Sequence, residues 1–384
     1  MSTGSEKPSP YYLAFKRWWR RVRQARKNLQ LKVARTLWDH RRSDEPFDPS
    51  KVKRVAVFRW DDKLGDSIMA TQFVSAVHRA RPDIEIVFIT GKQGFSLLSS
   101  WDAISELFVC GRRGWKAAWS LRKVGGEFDV VVELTSGMSA YELFALRQLK
   151  GKHYLGYGKP DYRLFDLLVP EEAKNFKDRN LAAASIVVGG EAKGRFYVPE
   201  SPAAQAVARE YFAGRDPDRP EVLINFFAAG KHRSFTVADA IALLQWWAGQ
   251  WPEMRLNLLT VPGREASLDK IIGACEGVAV RRTPEPPTIE LSAALAREAD
   301  VIFSPDTAVV HIVAALDRPM IAVYRQKGDE FEAWRPGSDK VRVIFNRQVN
   351  DKHDRVRAAD FSREELRESV DDLLGSRPVV MSDV

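Results

Sequence analysis

"VAVFRWDDKLGDSIMAT", residues 55–71, decides the fold. An apolar run from Val55 to Phe58 ends at Arg59 and Trp60. Two acids, a lysine, a glycine and a third acid follow, and apolar residues then resume at helical spacing. That is the pattern of a buried strand turning into an amphipathic helix. The alternation continues: "RVAVFRW", "IEIVFIT", "ELFVC" and "FDVVVEL" read as strands, separated by helical stretches such as "DSIMATQFVSAVHRA" and "AAWSLRKV". A second series opens at Glu221 with "EVLINFF", "RLNLLTV", "VAVRR", "DVIFSP" and "PMIAVY". Strands rich in Val, Ile and Phe on both faces belong to parallel sheets covered by helices. Two such arrays predict two doubly wound α/β domains.

The expected organisation is a basic arm over 1–50, a first domain over 51–205, a second over 206–355, and a C-terminal helix and tail over 356–384. The seam falls in "YVPESPAAQAVAREYFAGRDPDRP", residues 197–220, with its four prolines. Ser362 and Glu365 have the spacing of a capping box for the last helix. No repeat of 20 to 50 residues is visible, which excludes a solenoid. Neither array has GxGxxG after its first strand, which disfavours a nicotinamide oxidoreductase. Cys110 and Cys275 lie far apart without a CxxC partner and suit neither a disulfide framework nor a metal cluster, so a reducing compartment is expected.

The 384 residues carry a net charge of +8. Residues 1–42 hold twelve Lys and Arg against Glu6 and Asp39, so the arm is at +10 and the rest of the chain at −2. Within it Phe15, Trp18, Val22, Ala25, Leu29, Val33 and Leu37 recur every three or four residues, one face of a helix. Trp19 widens that stripe; Arg17, Arg20, Arg23 and Lys27 lie mostly away from it. Charges interrupt every candidate signal-peptide core, and no later run is long enough to span a membrane. Residues 11–42 therefore read as a helix lying on an anionic membrane surface, where each basic residue contributes roughly 1 kcal/mol. The alternative is a helix packed on its own domain or on a partner, with a solvated basic face. A nucleic-acid partner is not expected, because the rest of the chain has no basic stripe.

Ligands of open α/β sheets bind at the carboxyl ends of the strands, and four such loops carry unusual residues. In the first, Gly65 permits a tight turn or close approach. Asp66 either caps the helix, stabilising it by about 1 kcal/mol, or serves as a general base kept ionised by a nearby cation such as Lys63. In "INFFAAGKHRSFT", residues 224–236, Lys231 and Arg233 precede a helix N-terminus, either an anion site or a solvated basic turn. In "LLTVPGREAS", residues 258–267, Glu265 either favours the helix dipole or accepts from ribose hydroxyls. In "DVIFSPDTAVVHIVAALDRPMIAVY", residues 300–324, Asp306 and Thr307 open a helix and His311 follows a turn later. That helix is apolar nearly all round, so its polar N-terminal end is expected to face phosphate.

Taken together, these residues resemble glycosyltransferase family nine, the ADP-heptose:lipopolysaccharide heptosyltransferases. The family's strand, Leu-Gly-Asp turn and helix resemble "VAVFRWDDKLGDSIMAT", and its Asp-Thr-Gly-x-x-His signature resembles "DTAVVHIVAALDRPMIAVY". The likeness covers roughly residues 51–350. It implies a GT-B architecture, two Rossmann-like domains facing a cleft, with the final helix returning to the first domain. It also implies Asp66 as the catalytic base of an inverting transfer of heptose from ADP-heptose to a lipid-anchored lipopolysaccharide core acceptor. Lys231, Arg233, Glu265, Asp306, Thr307, Ala308 and His311 would lie on the donor side, and Arg59, Lys63 and Gly65 on the acceptor side. Ala308 stands where the family has glycine, as does Arg325 after Tyr324, and "AAGKHRSF" lacks the usual Lys-Arg-Trp-Pro. No metal and no cofactor are implied; the partners would be a nucleotide sugar, a lipid-linked acceptor and the cytoplasmic face of the inner membrane. The rivals are a GT-B enzyme using another nucleotide sugar on another glycan and a catalytically silent membrane-associated interaction protein.

Overall fold

The computed structural model describes residues 10–111, 113–230, 233–325, 328–347 and 357–375. The first sheet contains β1 Arg54–Arg59, β2 Glu85–Thr90, β3 Glu106–Val109, β4 Phe128–Glu133, β5 Gly151–Tyr157 and β6 Leu167–Val169. The second contains β7 Glu221–Ile224, β8 Arg255–Leu258, β9 Val280–Arg282, β10 Val301–Pro305, β11 Met320–Tyr324 and β12 Val341–Phe345. The helices are α1 Pro10–Trp38, α2 Leu64–Ala80, α3 Lys92–Leu98, α4 Trp115–Ser120, α5 Ala140–Gln148, α6 Phe176–Val188, α7 Pro202–Tyr211, α8 Val237–Gln250, α9 Glu265–Gly273, α10 Ile289–Glu298, α11 Ala308–Ala315, α12 Gly328–Trp334 and α13 Arg363–Gly375.

Both sheets are parallel, in the orders β3-β2-β1-β4-β5-β6 and β12-β11-β10-β7-β8-β9. Each is the doubly wound 3-2-1-4-5-6 arrangement, so each has a switch point where ligands of such folds bind. Two layers of helices cover each sheet because alternate strand residues are buried on opposite faces. Val55 and Val57 pack with α2 and α6, while Ala56 and Phe58 pack with α4 and α5. The two doubly wound domains read from the strand pattern are the observed architecture.

Three features differ from the sequence reading. The boundary at 205/206 falls inside α7, which buries Ala208 on the second sheet. Helix α13 does not return to the first domain. Leu366, Val370 and Leu373, spaced four and three apart, pack on Phe303, Ile321, Val323 and Ile344 of the second sheet. Burying each such side chain contributes about 2 kcal/mol, and Arg342–Asp372 at 2.5 Å joins α13 to β12 from outside. Strands β5, β6 and β12 extend sheets whose edges were not read.

Helix α1 is fixed only at its C-terminal end. Ala34 is buried, and Trp38 packs on Phe144 at 4.9 Å and Trp115 at 5.9 Å. Arg35 donates to the Asp161 carbonyl, and Asp39 accepts from the Leu164 N–H at 3.0 Å. The apolar stripe faces solvent instead of the domain: Phe15 is 54% exposed, Trp18 56% and Leu29 64%. Among the described residues, no helix is long and apolar enough to cross a membrane.

Candidate active site

The β1–α2 junction is built around Arg59. Its Nη2 lies 2.7 Å from Asp66 Oδ2, and its Nε lies 3.6 Å from Asp61 Oδ1. All three side chains are largely buried. The N-cap of α2 is Lys63, with no side-chain cap, and Asp66 stands within the first turn. Asp66 is therefore not the helix cap. Nor is it held ionised by Lys63, which is 3.8 Å away and mostly exposed. Burial, with the hydrogen bond to Asp61, outweighs Arg59 and pushes the Asp66 carboxyl up to about 7. Burial acts to raise Asp61 too, but Arg59, the bond to Asp66 and Lys63 leave it below the ordinary carboxylate value. The pair thus keeps its last proton on Asp66 until near neutrality.

The remaining acid of the turn has a structural duty. Asp62 adopts φ 51°, and its Oδ1 accepts from the Gln93 N–H at 2.8 Å, satisfying the first turn of α3. Its side chain fills the space where a Cβ on Gly91 would stand.

The β10–α11 junction uses the same geometry with different chemistry. Thr307 caps α11, accepting from Val309 N–H at 3.2 Å. Its hydroxyl meets Ser304 Oγ at 3.0 Å and Asn225 Nδ2 at 3.2 Å, inside a buried polar cluster. Asp306 Oδ2 is 2.9 Å from Arg233 Nη1. His311 is buried, and burial pushes its imidazole down to about 4, so the ring is neutral at pH 7. Ala308 is the first residue of α11. Lys231 lies outside the described residues. Glu265 stands apart from this group: half-buried at the start of α9, its Oε1 accepts from Gly263 N–H at 3.0 Å. Backbone N–H bonds hold its carboxyl below the ordinary value.

The two junctions meet. Helices α2 and α11 pack together, and a Cβ on Gly65 would stand 2.9 Å from His311 Cδ2 and 3.6 Å from the Ala308 Cα. Only glycine permits that approach. Beside the contact opens a cleft of about 720 Å³ that runs from Asp66, Lys63 and Arg59 past the 135–139 loop to Arg179 and to Trp334 of α12. Arg59 also lies over the rings of Phe176 and Trp334, at 5.2 and 5.8 Å, and those rings are 4.2 Å apart. Asn175 Nδ2 donates to the carbonyls of Glu332 at 2.9 Å and Arg335 at 3.1 Å. One aromatic ring from each domain therefore closes over the guanidinium that holds Asp66.

Sequence reading missed Asn225, Phe176, Arg179 and Trp334. An asparagine in the apolar run "EVLINFF" was a visible signal for the first. The other three come from helices remote in sequence and carry no local mark.

Residues 255–363 match the profile of glycosyltransferase family 9 (heptosyltransferase). The chain is 23% identical over 304 residues, 75% of its length and 79% of the relative's, to the putative lipopolysaccharide heptosyltransferase 4 of Escherichia coli K12. A family 9 glycosyl transferase from Veillonella parvula superposes with a TM-score of 0.66 at 14% identity, covering 85% of this chain and 98% of that one. The E. coli ADP-heptose lipopolysaccharide heptosyltransferase II gives 0.59 at 19% identity, covering 84% and 98%. The E. coli heptosyltransferase WaaC, solved with ADP, gives 0.57 at 15%, covering 83% and 99%. The resemblance read from the sequence is thus borne out: residues 255–363, which hold the second signature, match glycosyltransferase family 9 (heptosyltransferase), and the chain has the two-sheet fold of these solved structures.

Proposed function

We propose that this chain is an inverting glycosyltransferase that passes a heptose from ADP-heptose to a lipid-anchored lipopolysaccharide core acceptor. The observation that carries the reading is the contact of the Gly65 turn with the Ala308–His311 turn, which sets a buried carboxylate beside an anion-suited helix mouth. The nature of the donor is supported by relatives: one of the similar structures holds ADP.

In the proposed reaction the ionised Asp66 takes the proton of an acceptor hydroxyl. The oxygen attacks the anomeric carbon from the face opposite the nucleotide, its new C–O bond forming as the bond to the diphosphate breaks. The departing diphosphate gains charge, which Arg233 and the positive end of the α11 dipole would take up. A neutral His311 can donate or accept one hydrogen bond there without adding charge. No cofactor is assigned, and the nucleotide sugar is a substrate. A base with a value near 7 is suited to work at neutral pH. Transfer is therefore expected to rise with pH up to about 7 and level off above it.

The acceptor's lipid anchor would place the enzyme on the cytoplasmic face of the inner membrane. The solvent-facing aromatic stripe of α1, flanked by its basic residues, supports that placement. A thermal-shift panel of ADP, UDP and GDP and their sugars tests the donor. Selective stabilisation by ADP and ADP-heptose is expected; selective stabilisation by UDP or GDP would favour the other nucleotide-sugar reading.

A further inference from the structure

Four tryptophans among the described residues are largely exposed, and they fall in two segments. Trp18 and Trp19 lie on α1; Trp115 and Trp119, at 45% and 58%, lie on α4. The second segment is also the second concentration of positive charge. Residues 110–126, "CGRRGWKAAWSLRKVGG", contain five Lys and Arg and no acid. With these and residues 1–42 set aside, the remaining chain carries −7. Excess cation and exposed indole thus coincide twice, and nowhere else among the described residues.

The fold brings the two segments side by side. Trp38, at the end of α1, meets Trp115 at 5.9 Å, and both pack on Phe144 of α5, at 4.9 and 5.8 Å. Trp119 reaches the same Phe144 at 6.1 Å. The Arg122 guanidinium lies 4.2 Å from the Trp119 ring, while Lys116 and Lys123 are exposed beside it. The loop entering α4 leads to the cleft: Arg113 pairs with Glu142, and both line the cavity that holds Asp66.

We propose that α4, together with α1, forms one membrane-contact surface for an anionic bilayer, with Trp115 and Trp119 entering the headgroup layer and Arg122, Lys116 and Lys123 meeting lipid phosphates. This rests on the membrane placement given above and adds a second contact element, set at the mouth of the cleft. Indole rings with one polar edge suit the interface between headgroups and chains, and the surrounding cations give the attraction that selects anionic lipid. A rigid contact beside Arg113 would hold the cleft against the bilayer, where a lipid-linked sugar emerges; α1 alone, fixed only at one end, would not.

The test is flotation of the full chain with phosphatidylcholine vesicles containing about one-third phosphatidylglycerol, against pure phosphatidylcholine. Three variants are compared: Trp18→Ser/Trp19→Ser, Trp115→Ser/Trp119→Ser, and the four changes combined. The proposal expects the α4 pair to lower anionic-vesicle partition by about tenfold. It also expects the combined variant to float no better than on pure phosphatidylcholine. Trp119→Ser and Lys123→Glu, both exposed, report the same face if the Trp115 change unfolds the chain. Quenching of the α1-pair variant's fluorescence by brominated lipid, lost when Trp115 and Trp119 are also replaced, is the second expected result.

Unchanged partition in both the α4 pair and Trp119→Ser would overturn the proposal. So would a concentration-dependent dimer that these changes abolish while vesicle binding persists, since the face would then belong to a second copy. These vesicles contain no sugar acceptor. Failure here leaves the transferase reading standing, and failure of transfer leaves the membrane surface standing.

Discussion

The β1–α2 and β10–α11 junctions are the same structural device put to opposite electrostatic use. In each, a buried strand turns tightly into a helix beside an aspartate, Asp66 inside the first turn of α2 and Asp306 just before the Thr307 cap of α11. At the first, Asp66 is packed with Arg59 and a second acid, and burial raises its proton affinity to near neutrality. At the second, Asp306 is bound to an exposed-side cation, and the polar atoms are hydroxyls, an amide and a neutral imidazole. In the proposed reaction one end accepts a proton and the other an anion. The difference comes from what surrounds each carboxylate and from its place before or after the helix cap. On that proposal, two like domains divide one reaction between them.

That division makes the substitutions separable. The largest effect is expected from Asp66→Asn, which keeps the shape and removes the proposed base. Turnover should fall by about a thousandfold. Next is Arg233→Ala. Losing the proposed charge-assisted contact to the diphosphate should weaken ADP binding by roughly ten- to a hundredfold in calorimetry, and leave Asp66's pH profile in place.

Gly65→Ala tests the contact itself. Replacing a helix glycine by alanine ordinarily stabilises by about 1 kcal/mol. Here the added Cβ meets His311 at 2.9 Å, and the neighbour is a buried ring rather than a flexible chain end. The sign should reverse, with a melting temperature lower by about 2 to 6 °C. A rise in melting temperature would show that the two junctions are not pressed together in solution. The smallest effect belongs to Asp62→Ala. Loss of its bond to the Gln93 N–H should cost about 1 kcal/mol of stability, with kcat unchanged. A large loss of kcat would mean that the acids of this turn are not divided between structure and chemistry.

Much of this was legible from sequence because parallel strands buried on both faces announce themselves as unbroken apolar runs. Strand β5, "GKHYLGY", was not, since it mixes glycines, a lysine and a histidine and buries His153 through Asp166 at 2.6 Å. The short edge strand β6 and β12 likewise lack the signal. The polar residues of both junctions were legible because each stands where an apolar run stops. Their partners were not. Arg59 pairs with Asp66 across seven residues, but Phe176 and Trp334, which enclose it, are separated from it by the whole topology. The direction of α13 was misjudged because its apolar spacing shows that it has a buried face and not which sheet receives it. For α1 the stripe was read correctly as a face, and the structure turns that face outward.

The most direct test measures transfer rate and ADP affinity together on Asp66→Asn and Arg233→Ala, using ADP-heptose and heptose-deficient lipopolysaccharide. A crossed result is expected. Asp66→Asn should lose about three orders of magnitude in rate with ADP affinity within twofold of the parent, and Arg233→Ala should lose mainly affinity. Asp66→Asn transferring at near-parental rate, or both variants losing rate and affinity in equal proportion, would contradict it.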